Sequence, residues 1–197
     1  MIQYTNIQRF ESISFDDYLK FEGYSHSFLK RERFGITEEL TITENITIGK
    51  LTDGILMDAG SVNMLDPLYA TARKIAFEVK NAFGTVIEQF KSQVSYTADI
   101  VHNGFIMPSK GRLDWELPKH AVIDLKITKS TNIAGLIEYM GYKNQLWHYC
   151  KMAGVKDAYL IVHSIPAKKT SLIAIDCSSD TNDFWAEKSI KFGNVAA

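Results

Sequence analysis

The chain has 197 residues, 46% hydrophobic and 23% charged, with a formal net charge of −1. This suits a single domain over 1–197 with a well-buried core, and the near-neutral charge neither requires nor excludes nucleic acid, since a basic groove can sit on a neutral protein. No apolar run approaches the roughly 20 residues of a membrane span, the N-terminal MIQYTNIQRFES has no hydrophobic signal core, and two cysteines, Cys150 and Cys177, are too few for a disulfide framework or a four-cysteine cluster. No membrane association is expected, and a reducing, cytoplasmic setting is.

Residues 11–34 read as helix in pieces, ending in the charged KRERFG, whose Lys30 to Arg33 suit a solvated helix face. ITIGKLTDGILMDAG mixes strand-like and helix-like signals, with Gly49 and Gly54 as punctuation. Asp66-Pro67 is an N-cap followed by Pro at the first helical position, and Gly84 is a stop. Between them Leu68, Ala72, Ile75, Ala76 and Val79 recur at helical spacing, predicting a helix over 67–83. SQVSYTADIVHNGFIM alternates around Asn103-Gly104, a favoured hairpin turn. KGRLDWELPKHAVIDLKITKS, residues 110–130, reads as a second hairpin turning at Pro118-Lys119-His120. Residues 132–153 read as a helix, DAYLIVHSI and TSLIAIDC as strands, and TNDFWAEKSIKF as a closing helix. The order predicts an α/β domain on a central mixed sheet.

In the second hairpin, residues whose numbers sum to 238 should face each other, which sets Asp114 opposite Asp124 and Arg112 opposite Lys126. Strand alternation puts these four on one face, with Leu113, Trp115, Leu117, Ala121, Ile123, Leu125 and Ile127 on the other. A one-residue slip would bury the charges, so the register is well determined. Directly opposed residues have Cβ atoms about 5 Å apart. Two carboxylates there would repel by about 3 kcal/mol at an effective dielectric near 20, so something cationic belongs between them. Salt bridges to Lys126 and Arg112 would serve. A divalent ion on hard oxygen ligands serves better, with Lys126 on the same face in reach of the activated water.

The D-x(9)-D-L-K set across a hairpin resembles the PD-(D/E)xK nuclease superfamily. GRLD stands in place of the leading Pro-Asp, as in the RecB-like and RecE-like exonuclease branches, which include lambda-exonuclease-type enzymes. YMGYKNQLWHY resembles the Q-x-x-x-Y motif of those branches, with Gln145 and Tyr149 one turn apart on one face. GYSHSFLK, Gly23 to Lys30, resembles the Ser-rich helix start of phage recombination exonucleases. The resemblance runs from about residue 23 to the strand ending near Ile165.

It implies a restriction-endonuclease-like core: an antiparallel three-strand meander within a central mixed sheet, flanked by helices. It implies a metal-dependent DNA nuclease, in particular an exonuclease resecting linear double-stranded DNA in phage-type recombination or repair. Asp114, Asp124 and the backbone carbonyl of Leu125 would hold one or two Mg²⁺ or Mn²⁺ ions. Lys126 would orient or deprotonate the water, Gln145 would position this machinery, and Tyr149 would pack or bond to phosphate or base. In the RecB-like branch a Gly is followed four residues later by a metal-binding His; GKLTD puts Asp53 there, as a further ligand. Glu88 matches an acid ahead of the strands in RecE-like proteins. Ser25, Ser27, Lys110, Arg112 and Lys129 would contact DNA, as would Lys119 at the hairpin turn. A single-strand annealing protein and further copies of the chain are the other implied partners.

Two features temper the motif. A second acid-x-lysine copy, Glu78-Val79-Lys80, falls inside the predicted helix, where residues two apart do not share a face. The competing function is a non-catalytic nucleic-acid- or protein-binding module on the same scaffold. Intact Asp114, Asp124 and Lys126 favour the enzyme. No ATP-binding G-x-x-x-x-G-K-[ST] occurs, and Cys150, beside Leu146 and Trp147, is expected in the core.

Overall fold

A computed structural model describes residues 1–33, 44–57 and 62–195. Strand β1 (Gln3–Phe10) leads into helices α1 (Phe15–Lys20), α2 (His26–Arg33), α3 (Glu44–Leu56) and α4 (Tyr69–Ile87). The meander follows: β2 (Lys91–His102), β3 (Phe105–Leu117) and β4 (Ala121–Thr128). Helices α5 (Ile133–Tyr139) and α6 (Tyr142–Ala153) cross over to β5 (Asp157–Ser164) and β6 (Lys169–Asp176), and α7 (Asp183–Phe192) and β7 (Asn194–Val195) close the chain. The sheet order is β1-β2-β3-β4-β5-β6, with β7 on β3. Every pairing is antiparallel except β4–β5, which is parallel because a helical crossover joins them. This is the expected meander-bearing α/β fold.

Helices cover both faces. One cluster joins Val94, Tyr96, Ala98 and Ile100 of β2 to Leu29 of α2, Leu146 and Cys150 of α6, and Trp185 of α7. The other joins Trp115, Ile123, Leu125 and Ile161 to Ile48 and Leu51 of α3 and Ala72, Ile75 and Val79 of α4. The single apolar face expected of the 110–130 hairpin is therefore divided. Leu113 belongs to the first cluster, and Trp115, two residues on, to the second. Between them, Asp114 is skipped in the β2–β3 ladder, opposite Gln93 with its positive φ of 53°.

Other departures have local causes. The edge strand β1 is mostly exposed and offers little apolar alternation to read. The mixed 46–60 stretch is helix α3 as far as Leu56; Asp58, Ala59 and Gly60 lie outside the described residues, as do Phe34 and Gly35 of KRERFG. Asp66 holds a turn, accepting from the Leu68 amide at 2.8 Å, so α4 begins only at Tyr69. That helix passes through Gly84 to Ile87. The 132–153 helix is two, broken at Gly141, whose φ of 65° no continuing helix allows.

Candidate active site

The site forms where a ladder stops. β3 and β4 share three pairs, Leu117–Ala121, Glu116–Val122 and Trp115–Ile123, in the register expected from the sequence. The turn suits it: Pro118 precedes Lys119 at φ 68°, and the His120 amide donates to the Leu117 carbonyl at 3.0 Å. Pairing ends one step short of Asp114–Asp124. There Asp114 Oδ2 accepts the Leu125 amide at 2.8 Å, so a side chain takes over the ladder's role as the strands part. Beyond, β4 continues along β5 while another segment fills the edge of β3. The Tyr24 amide donates to the Pro108 carbonyl at 3.0 Å, and Lys110 donates its amide to Tyr24 at 3.1 Å. Gly23 permits this contact, since a Cβ there would stand 2.9 Å from the Ser109 nitrogen.

Asp124 lies on the buried central strand and is 2% exposed. Lys126 pairs with its Oδ2, and Gln145 Nε2 of α6 approaches Oδ1 to 3.5 Å. The same Gln145 nitrogen donates to Tyr149 Oη at 2.9 Å, so the two residues of the Q-x-x-x-Y spacing form one unit against Asp124. That helix sits close because Gly111 has no side chain: a Cβ there would lie 2.9 Å from the Tyr149 ring. From α3, Asp53 completes an acidic group with Asp114 and Asp124, close enough that each raises its proton affinity.

Electrostatics follow from this crowding. Burial, then Asp124, pushes the Asp114 carboxyl from an ordinary 3.8 up to about 7, against the pull of Lys126 and the Leu125 amide. Burial, then Asp114, raises Asp53 well above its ordinary value. Burial works against the charge of Lys126, but Asp124 and Asp114 outweigh it and hold the ammonium protonated. The group is left electrostatically incomplete: Asp53 Oδ1 is sealed from solvent with no hydrogen-bond partner. A divalent cation fits this donor set in kind, since carboxylate oxygens that repel one another, one of them orphaned, are what hard cations take. Among the described residues no three acid, histidine or cysteine side chains are placed together so as to hold a metal ion; Lys126 occupies Asp124 instead.

The peripheral residues divide. Arg112 does not face Lys126. It turns to Gln93 Oε1 at 2.7 Å and to the Ile13 carbonyl at 3.2 Å, pinning the segment before α1. Lys110 donates to the Leu19 and Phe21 carbonyls at 3.1 and 2.7 Å. Lys129 pairs with Glu44. Ser25 Oγ accepts the Phe28 amide at 3.3 Å near the start of α2, whereas Ser27 is exposed. Glu88 is exposed at the C-terminal cap of α4. Glu78 of the second acid-x-lysine copy is in α4, as expected, and faces His163 at 3.6 Å.

Sequence reasoning missed Lys30 by treating KRER as a solvated face. Its Nζ lies 3.6 Å from Met140 Sδ and 5.8 Å from the centroid of the Tyr142 ring, which Lys126 also approaches at 5.3 Å. Burial, then the neighbouring Lys126, lowers it to about 8. Only its position on the apolar side of α2, one residue after buried Leu29, hinted at this.

No family model matches the sequence, and no curated protein does. Among solved structures, a protein from Eubacterium rectale described as a candidate exonuclease superposes with a TM-score of 0.53 over 88% of this chain and 71% of its own, at 15% identity. The fold is shared. SSO0001 superposes with a TM-score of 0.46 at 19% identity over 86% of each chain. Among the described residues no helix is long and apolar enough to cross a membrane.

Proposed function

We propose that this chain is a divalent-metal-dependent deoxyribonuclease, an exonuclease resecting the ends of linear double-stranded DNA in phage-type recombination or repair. One observation supports this above the others: Asp114, Asp124 and Lys126 gather where the β3–β4 ladder opens, beside an orphaned oxygen of Asp53. The shared fold of the candidate exonuclease is in keeping with it. Asp114 and Asp124 would hold Mg²⁺ or Mn²⁺, one or two ions, with Asp53 and the Leu125 carbonyl as further donors. The metal would supply Lewis acidity toward water and phosphate.

The chain's own groups have separable tasks. Lys126, kept cationic by its acids, donates to the attacking water or to a phosphate oxygen as charge develops there. Its use as a base would require the carboxylates' field to be spent elsewhere. Gln145 fixes the rotamer of Asp124, and Tyr149 fixes Gln145. Lys30, with no carboxylate partner among the described residues, adds a second cation beside Tyr142 for the phosphate backbone.

The test is incubation of end-labelled linear duplex with the protein and Mg²⁺ or Mn²⁺, with EDTA and Lys126→Ala as controls and closed-circular DNA alongside. Loss of label from linear DNA only, abolished by both controls, is expected. Intact DNA under every metal would instead establish the non-catalytic binding module, and nicking of the circle would make the enzyme an endonuclease.

A further inference from the structure

A second concavity lies at the other end of β4 and β5. It encloses 730 Å³, and its walls include Phe83, Phe90, Leu117, Tyr159 and Leu172. None of Asp53, Asp114, Asp124 or Lys126 lines it. Aromatic and aliphatic walls of this kind favour a guest that can bury apolar surface against them. Val86 and Leu172, both lining residues, are 48% and 47% exposed, so apolar surface is left open at the mouth. Leu172 belongs to β6, which among the described residues pairs only with β5 and so presents its other edge beside the opening.

Charge narrows the choice of guest. Lys119, His120 and Lys156 line the cavity and are exposed, against one lining acid, Asp157. No salt bridge among the described residues uses any of these three basic groups. A basic rim around an apolar pocket complements an apolar anchor with carboxylates on either side of it.

We propose that this cavity docks a short segment of a protein partner, one that seats an aromatic or leucine side chain among Phe83, Phe90 and Tyr159 and sets flanking Asp or Glu residues against Lys119, His120 and Lys156. The anchor supplies desolvated contact, and the acids supply encounter rate and orientation. Docking there leaves the candidate active site uncovered, so a partner could be carried while DNA is engaged.

The probe is a short fluorescein-labelled peptide of Asp and Glu residues around one Phe and one Leu, titrated with the full-length chain and read by anisotropy. Binding is expected to fall about tenfold or more in Leu172→Glu and in Lys156→Glu, and likewise when the peptide's Phe and Leu become Ser or its acids become Lys. Both substituted side chains are solvent-facing. Should either variant lose its cooperative melting transition, Leu172→Ser and Lys156→Ala test the same contacts. Failure of the acidic peptide to bind the wild-type chain overturns the proposal, as does binding that survives both substitutions. Tighter occupation of this face by single-stranded DNA or by decanoate, lost in Leu172→Glu, overturns it in favour of those ligands. The DNA-degradation assay is independent of every one of these outcomes.

Discussion

Glu116 and Asp114 stand two residues apart on β3, and the protein treats them in opposite ways. Glu116, 2% exposed, accepts from Arg9 Nε and Nη2 at 3.0 and 2.9 Å and from Tyr96 Oη at 2.9 Å. It ties the edge strand β1 to β3 across β2, and its charge is answered. Asp114 has one backbone donor and sits with Asp124 and Asp53 around a single cation, Lys126, which is paired with Asp124. Burial alone therefore does not mark a site. A cluster of acids that outnumbers its cations does, because folding alone would not retain it.

The largest effect that would break this contrast is on activity. Lys126→Ala and Asp124→Asn are each expected to lower DNA hydrolysis by about 10²–10³-fold with the fold intact, whereas Glu116→Gln should leave turnover per folded molecule close to wild type. Rates from labelled linear duplex, normalised to the folded fraction, decide it; equal losses at Glu116 and Asp124 would erase the distinction.

Stability should invert the ranking. Glu116→Ala removes the buried acceptor that Arg9 and Tyr96 share, leaving them each other and Glu11, and should cost about 3 kcal/mol, seen as a lower urea midpoint. Asp114→Asn relieves like-charge repulsion and should stabilise the metal-free protein by about 1 kcal/mol. A destabilised Asp114→Asn would show that the carboxylate serves the fold.

The pH dependence sharpens the same point. Between the ordinary 3.8 of Asp114 and its folded value of about 7, the native state keeps a proton that the unfolded chain has released. Metal-free stability should therefore decline as pH rises through that window and level off above it. Asp114→Asn should remove this component. Mg²⁺, which requires the deprotonated carboxylate, should stabilise progressively more across the same range. Melting temperatures with and without Mg²⁺ at several pH values test both signs. Smallest of all, Lys129→Ala breaks an exposed pair with Glu44 and should shift stability by no more than about 0.5 kcal/mol.

What could be read in advance was what local pattern dictates. The Asn103-Gly104 turn, the hairpin at Pro118-Lys119 and its register, and the spacing of Gln145 and Tyr149 all depend on residues near in sequence. The divergence of β3 from β4 was not legible, because it depends on Tyr24 pairing at Pro108 and Lys110 from more than eighty residues away. With that divergence went the fates of Arg112 and Lys110. Both looked like phosphate ligands from their charge, yet both hold backbone carbonyls of the N-terminal segment. Lys30 was illegible for the converse reason: a basic run reads as solvated until the element packed against it is known.

Gly111 has one more implication. The absent methyl at that position sets how deeply α6 can settle on the sheet, and so how far Gln145 extends toward Asp124. Enlarging residue 111 to alanine would act as a spacer some distance from the chemistry, lifting the helix and detuning the carboxylate without altering any charged group. The alignment of this centre is thus governed by bulk as well as by charge, and a silent-looking glycine is where that clearance is set.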